Sequence, residues 1–314
     1  MIPLLITGGL GFVGSNYINY IYGLKIYKII CLDNETNCLK EENVINPEIR
    51  KSSDYEFIKG NFGDERLVKN ILNKYKIRYV LNLAITSFQP ETLGEPVYYV
   101  NNNVLNTTKF LQTCVEYGKI EKFIHMSTFL IYNVTNSLEE ESKMCINEYS
   151  TSKTCSHEII ILYRDVYKLP IMIGMGNAFF GKTQCPFAPV PDYLTFLKNG
   201  NKIPVQTKST RVFNYVYIDN VVTAIQIMFE KGEKGKIYNI LDKKHGCYDD
   251  DKLAKTLVRY YYETKKYKKW IKYIDDKPCK FTECPEDNEE LRKLGWKITT
   301  NVKKGLKIVA DYYK

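Results

Sequence analysis

Ile2-Pro3-Leu4-Leu5-Ile6-Thr7-Gly8-Gly9-Leu10-Gly11-Phe12-Val13-Gly14-Ser15-Asn16 is the stretch that decides the fold. Leu4 to Ile6 is a short apolar run, glycines follow at 8, 11 and 14, and Val13, Tyr17, Ile18 and Ile21 then recur at helical spacing. The order is strand, tight turn, helix. Glycines let the backbone take positive φ and let a ligand approach where a Cβ would stand. The first turn of the helix offers unpaired N–H groups and a positive dipole end to an anion. The next strand, Lys28-Ile29-Ile30-Cys31-Leu32-Asp33, ends in an acid roughly 20 positions on, as a dinucleotide site requires. Asp33 would accept hydrogen bonds from the adenosine ribose 2′-hydroxyl and repel a 2′-phosphate, which favours NAD over NADP.

The bulk properties are those of an ordinary globular protein: 314 residues, 44% hydrophobic and 26% charged. No apolar run reaches the roughly 18 residues of a membrane span, and no charged-then-apolar leader precedes the first strand, so a cytoplasmic protein is expected. Nine scattered cysteines without a Cys-x-x-Cys pair read as reduced thiols, and the three histidines are far apart, so no metal site is expected. The net charge of +9 is spread along the chain, with one aromatic-basic cluster at Lys265-Lys266-Tyr267-Lys268-Lys269-Trp270. A diffuse positive potential suits an anionic nucleotide-linked substrate, and a solvated face explains the cluster, so nucleic-acid binding is not favoured.

Strands and helices alternate through the first half. Strands are predicted at 55–62, 79–84, 122–127 and 169–173, and helices at 64–75, 100–117 and 148–167. This rhythm argues for an α/β fold, a Rossmann-type doubly wound parallel sheet. Beyond Asn177 the prolines at 186, 189, 191, 204, 278 and 285 break the chain into shorter pieces, with helices predicted at 220–230, 249–262 and 302–313 and a strand at 236–241. The expected organisation is a Rossmann domain over 1–177, with 212–242 returning to it, and a smaller mixed C-terminal substrate-binding region over 178–314.

Tyr149 and Lys153 lie four apart on a predicted helix and so share a face. An ammonium beside a phenol favours the phenolate, which suits the tyrosine to act as a base on a hydroxyl near neutral pH. Ser127-Thr128 closes the strand before that helix.

With these residues together the chain resembles the extended short-chain dehydrogenase/reductase family, in particular the nucleotide-sugar 4,6-dehydratases. The resemblance runs over nearly the whole length: Thr7 to Asn16, Asn82-Leu83-Ala84, Asn103-Val104 with Thr107, Met126-Ser127-Thr128 with Tyr132, Tyr149 with Lys153, Asn177 with Gly181, Gln184 with Pro186, Arg211 before Tyr217-Ile218-Asp219, Tyr238-Asn239-Ile240, and Leu294-Gly295-Trp296. It implies that Thr128, Tyr149 and Lys153 are catalytic, with Tyr149 taking the sugar 4-hydroxyl proton while C4 gives its hydride to NAD. It also implies that Lys153 binds the nicotinamide ribose, Asn177 the sugar and Arg211 the diphosphate of a UDP- or TDP-linked hexose, and that the chain forms a homodimer through two helices per subunit. Around Gly8, Gly11, Gly14 and Asp33 the expected cofactor site takes in Phe12, Val13, Asn34, Asn61, Phe62, Leu83, Ala84, Asn103, Tyr149 and Lys153, and the substrate site Thr86 and Ser87.

The departures bear directly on the reaction. In the dehydratases an Asp-Glu pair follows the serine-threonine, the acid protonating the leaving C6 hydroxyl and the glutamate removing the C5 proton. Here Phe129-Leu130 stands in its place, and neither side chain can move a proton. Thr86-Ser87-Phe88-Gln89-Pro90, Asn177-Ala178-Phe179-Phe180, Phe187-Ala188 and Glu148 depart from the family pattern too, and only Lys277 or Lys280 offers a charge where an arginine is expected. Three readings follow: a 4-epimerase or 4-keto reductase that does not dehydrate; a 4,6-dehydratase whose acid and base come from elsewhere, with Glu148 or Glu91 nearest; and a nucleotide-binding homologue without turnover.

Overall fold

The structure is a computed structural model that describes residues 1–36, 40–87, 94–131, 147–176, 178–206, 212–275 and 287–314. Its centre is a seven-stranded sheet in the order β10-β6-β5-β4-β1-β2-β3, made of β1 (Ile2–Thr7), β2 (Tyr27–Asp33), β3 (Tyr55–Lys59), β4 (Tyr79–Asn82), β5 (Lys122–Thr128), β6 (Ile171–Gly176) and β10 (Ile237–Asn239). Every pairing in it is parallel.

Alternation along the strands divides the core in two. Leu4, Ile6, Ile29, Cys31, Leu81 and Ile124 pack on one face; Leu5, Ile30, Leu32, Val80, Phe123 and Ile171 pack on the other. Both faces are therefore covered, which is why these strands read as continuous apolar runs. Helix α1 (Phe12–Tyr22) packs against the Ile218–Lys231 helix on the first side. The Glu65–Tyr75, Thr107–Tyr117 and Glu148–Asp165 helices pack in sequence on the second. The chain leaves β1 in one direction through β2 and β3 and returns to the other side of β1 at β4. The β1/β4 junction is thus a topological switch point, where open parallel sheets bind ligands beyond their carboxyl ends.

The later part of the chain forms two small sheets. One has the order β11-β9-β7, with β7 (Ala178–Phe180), β9 (Val212–Tyr217) and β11 (Cys247–Asp249); the other pairs β8 (Ile203–Gln206) with β12 (Ile271–Ile274). The Pro189–Lys198, Asp250–Tyr262 and Val302–Tyr313 helices pack together beside them. The first of these differs from the short pieces expected from its prolines. Pro189 occupies the first helical position, where no N–H is needed, so proline starts this helix rather than breaking it. Likewise Glu95 and Pro96 open a single helical turn, Pro96–Tyr99, which runs into a π-helical stretch, Val100–Asn106, before the regular Thr107–Tyr117 helix. Among the described residues no helix is long and apolar enough to cross a membrane.

Candidate active site

The glycine turn is closed by contacts that exclude side chains. Gly8 has φ +67°, and a Cβ there would lie 2.7 Å from the Ala84 backbone nitrogen; one on Gly14 would lie 2.5 Å from the Gly8 carbonyl oxygen. Gly11 differs, since a Cβ on it would meet only the Gly8 oxygen, at 3.2 Å. Gly11 is also the N-cap of α1, which carries no capping side chain and no acid in its first turn. The helix therefore presents bare N–H groups and a positive end to the space above Gly11, which is the chemistry a pyrophosphate needs.

That space divides into two cavities that share Gly11. The first, about 270 Å³, is lined by Gly8, Gly11, Asp33, Asn34, Asn61, Phe62, Leu83, Ala84 and Thr86 from the expected site. It also takes in Thr36, Tyr98, Asn101, Asn102 and Asn106, which the sequence reading missed. The three asparagines sit on the π-helical stretch, whose widened turn was not legible from apolar periodicity. Asp33 Oδ2 accepts the Leu10 N–H at 3.0 Å and Oδ1 the Glu35 N–H at 2.8 Å, so the acid fastens the glycine turn as well as lining the cavity. Burial raises its pKa above the usual carboxylate value against those two bonds.

The second cavity, about 390 Å³, holds Phe12, Val13, Ser87, Thr128 and Tyr149 from the expected site. Its remaining wall is largely apolar and aromatic, including Leu130, Phe179, Phe187 and Phe213, with Gln184 and Tyr215 among the polar groups. No carboxylate or histidine is among its described lining residues. Thr128 ends β5, its Oγ1 accepts the Leu130 backbone N–H at 3.3 Å, and both residues line the cavity. Phe129 points elsewhere: it is 2% exposed and belongs to the core on the second face of the sheet.

Asn147 starts the helix that carries Tyr149. Its Oδ1 accepts the Ser150 N–H at 2.8 Å while Ser150 Oγ accepts the Asn147 N–H at 3.1 Å, a reciprocal cap. Glu148 Oε1 accepts the Gly94 N–H at 3.0 Å and lines neither cavity. Lys153 is 1% exposed and donates to the Met126 carbonyl at 3.2 Å. Among the described residues no hydrogen bond joins it to Tyr149. The expected lowering of the phenol pKa is accordingly reversed: burial, and then Tyr99 with its ring edge-on at 6.5 Å, push Tyr149 up. Burial pulls Lys153 down to about 8. Two histidines stand near this lysine, both held neutral mainly by burial. His157, one helical turn on, is lowered to about 4 and bonds Ser127 Oγ at 3.1 Å; His125 Nδ1 lies 3.1 Å from Asn82 Nδ2, and Asn82 Oδ1 accepts from Thr7 Oγ1 at 2.7 Å.

Three expected residues line neither cavity. Gly14 packs inside the turn, Lys153 is buried on the Met126 carbonyl, and Asn103 is spent on the protein itself. Asn103 Oδ1 accepts the Thr86 N–H at 2.7 Å, and Nδ2 donates to the Thr86 carbonyl and to Ser152 Oγ, both at 3.0 Å. It ties the loop after β4 to the helix of Tyr149. Asn177, Arg211, Glu91, Tyr132, Phe88-Gln89-Pro90, Lys277 and Lys280 lie outside the described residues.

A parallel sheet with this switch point and a bare helix N-terminus over glycines define a dinucleotide-binding class of fold. Within it, the chain belongs to the NAD dependent epimerase/dehydratase family, whose pattern matches residues 4–240. A dTDP-D-glucose 4,6-dehydratase of Dictyostelium discoideum is 29% identical, covering 99% of this chain and 81% of that protein. A trifunctional UDP-glucose 4,6-dehydratase/UDP-4-keto-6-deoxy-D-glucose 3,5-epimerase/UDP-4-keto-L-rhamnose-reductase of Arabidopsis thaliana is also 29% identical over 99% of this chain, which spans only 46% of that relative's length. Among solved structures, the dTDP-glucose 4,6-dehydratase of Bacillus anthracis in complex with NAD matches with a TM-score of 0.84 at 24% identity, covering 100% of this chain and 96% of that one. The UDP-glucose 4-epimerase of Thermotoga maritima with UDP-glucose matches at 0.82 and 23%, covering 99% and 98%.

Proposed function

We propose that the chain is an NAD-dependent oxidoreductase of nucleotide-linked hexoses that works at C4 without eliminating water, as a 4-keto reductase or 4-epimerase. The observation that carries this reading is the wall of the second cavity: Leu130 stands beside Thr128 and Tyr149, and no carboxylate or histidine is among its described lining residues. Elimination across C5 and C6 needs a base and an acid, and general acid–base groups contribute about 10²–10⁴-fold in rate. The alternative in which Glu148 supplies one of them is weakened by that carboxylate's bond to the Gly94 N–H.

The residues present fit NAD, with Asp33 toward the ribose and the first turn of α1 toward the pyrophosphate. When bound, NAD exchanges a hydride with C4. Tyr149 exchanges the matching proton with the C4 oxygen, and Thr128 Oγ1 donates a hydrogen bond to that oxygen. Lys153, held on the Met126 carbonyl, is assigned to the nicotinamide ribose. The proposed substrate is a UDP- or TDP-linked hexose, with Asn177 at the sugar and Arg211 at the diphosphate, and the proposed assembly is a homodimer.

Replacing Tyr149 by Phe removes the proton carrier and little packing. Sugar redox turnover is expected to fall at least ~100-fold while NAD affinity is retained. Wild-type turnover in Tyr149→Phe would refute the assignment.

A further inference from the structure

Resting on that reading, we propose that His157 is a positioning residue for the C4 reaction: through Ser127 it fixes the strand that ends in Thr128 against the helix that carries Tyr149. Side chains alternate along β5. Phe123 packs on the second face of the sheet and Ile124 and Met126 on the first, so His125 and Ser127 point with Phe123 toward the Glu148–Asp165 helix. On that helix Tyr149, Lys153 and His157 stand four apart and share a face.

Among the described residues two side-chain hydrogen bonds tie β5 to this helix: Lys153 Nζ donates to the Met126 carbonyl at 3.2 Å, and Ser127 Oγ bonds His157 Nδ1 at 3.1 Å. His125 adds no third, since its Nδ1 faces Asn82 and its buried Nε2 has no partner. A helix held to a strand at one point can pivot there; a second point removes that freedom. At about 1.5 Å per residue His157 lies ~6 Å beyond Lys153 and ~12 Å beyond Tyr149 along the axis, so the two bonds together set the tilt of the helix. Ser127 directly precedes Thr128, and Thr128 and Tyr149 line one cavity, so the same bond sets how their hydroxyls stand relative to each other. A displacement of about 1 Å between reacting groups costs on the order of 100-fold in rate. His157 itself lines neither cavity, and burial followed by the nearby Lys153 charge lowers it to about 4, so near neutral pH it bears a hydrogen bond without carrying charge.

The test measures kcat and KM with NAD and UDP-glucose or dTDP-glucose, well below the melting temperature, in Ser127→Ala, His157→Leu, the double variant and His157→Asn, whose carboxamide can replace Nδ1 in the bond. Each of the first two is expected to lose ~10-fold in kcat with KM and NAD affinity within ~2-fold of wild type, because the lost order matters at the reacting groups and not in binding. The double variant should be no slower than the slower single one, since both remove the same bond, and His157→Asn should recover most of the rate. Thermal melts and NAD titrations check folding, and Ser127→Ala carries the test where His157→Leu does not fold. Lower melting temperatures with wild-type kcat, or losses that multiply in the double variant, would overturn the inference. So would a kcat–pH profile that changes shape in His157→Asn, which would make His157 a proton carrier. Any of these, with turnover still lost in Tyr149→Phe, would leave the C4 reading intact, whereas a wild type that turns over neither sugar would overturn both.

Discussion

Lys153 illustrates a residue kept at a cost to stability. Its amine is buried and pulled down to about 8, below the roughly 10.4 of an unfolded lysine. Between those values the unfolded chain binds more protons than the folded one, so this group makes stability rise with pH across that window, and its penalty is fully present below about pH 8. Lys153→Met is therefore expected to raise stability near neutral pH by on the order of 2 kcal/mol and to abolish turnover. The stability gain should shrink as the pH approaches 10, which thermal melts across that range would measure. A variant less stable than wild type near neutral pH would contradict the burial argument. The spacing of Tyr149 and Lys153 was legible in the sequence, but the direction of the phenol's shift was not, because burial and the approach of Tyr99 come from tertiary packing. Asn103 makes the same point: a sequence shows an amide, not that Thr86 and Ser152 use it up.

The glycine turn is the element that the sequence specified best. The three glycines are required for different reasons, which two substitutions separate. A Cβ on Gly14 would press on backbone atoms at 2.5 and 2.7 Å, so Gly14→Ala is expected to destabilise the fold and lose NAD binding together. Gly11→Ala meets only one oxygen at 3.2 Å, a contact the turn can absorb. It should melt within a few degrees of wild type yet bind NAD at least ~10-fold more weakly, because the methyl enters the shared mouth of the two cavities. Equal loss of stability in both variants, read by thermal melts with NAD titrations, would contradict this division. Parallel strands were equally legible, since apolar runs bounded by turns leave few alternatives. The Pro189–Lys198 helix and the short strands β7, β8, β9, β11 and β12 were not: each is three to ten residues long and owes its form to neighbours distant in sequence.

At the scale of the whole molecule, several apolar side chains among the described residues are exposed. Val97, Val100 and Leu105, together with Leu162 and Val166 on the helix packed against their segment, are between 45% and 69% exposed. The proposed homodimer would bury these side chains, since apolar groups exposed on packed helices are where association removes most apolar surface from water. Light scattering is expected to give twice the chain mass for the wild type and a monomer for the Leu105→Asp, Leu162→Asp double variant; a monomeric wild type would contradict it. The cofactor half of the site was largely readable because glycines and a strand-terminal acid carry their chemistry locally. The substrate half was less so, since its aromatic wall is assembled from β7, β9 and the start of the Pro189–Lys198 helix. The central proposal is that the chain moves hydride at C4 and eliminates nothing. Mass spectrometry of UDP-glucose, dTDP-glucose and UDP-6-deoxyglucose after incubation with the enzyme and NAD tests this most directly: every sugar that is turned over should keep its C6 substituent, whereas a product lighter by one water, formed by the wild type but not by Tyr149→Phe, would contradict the account.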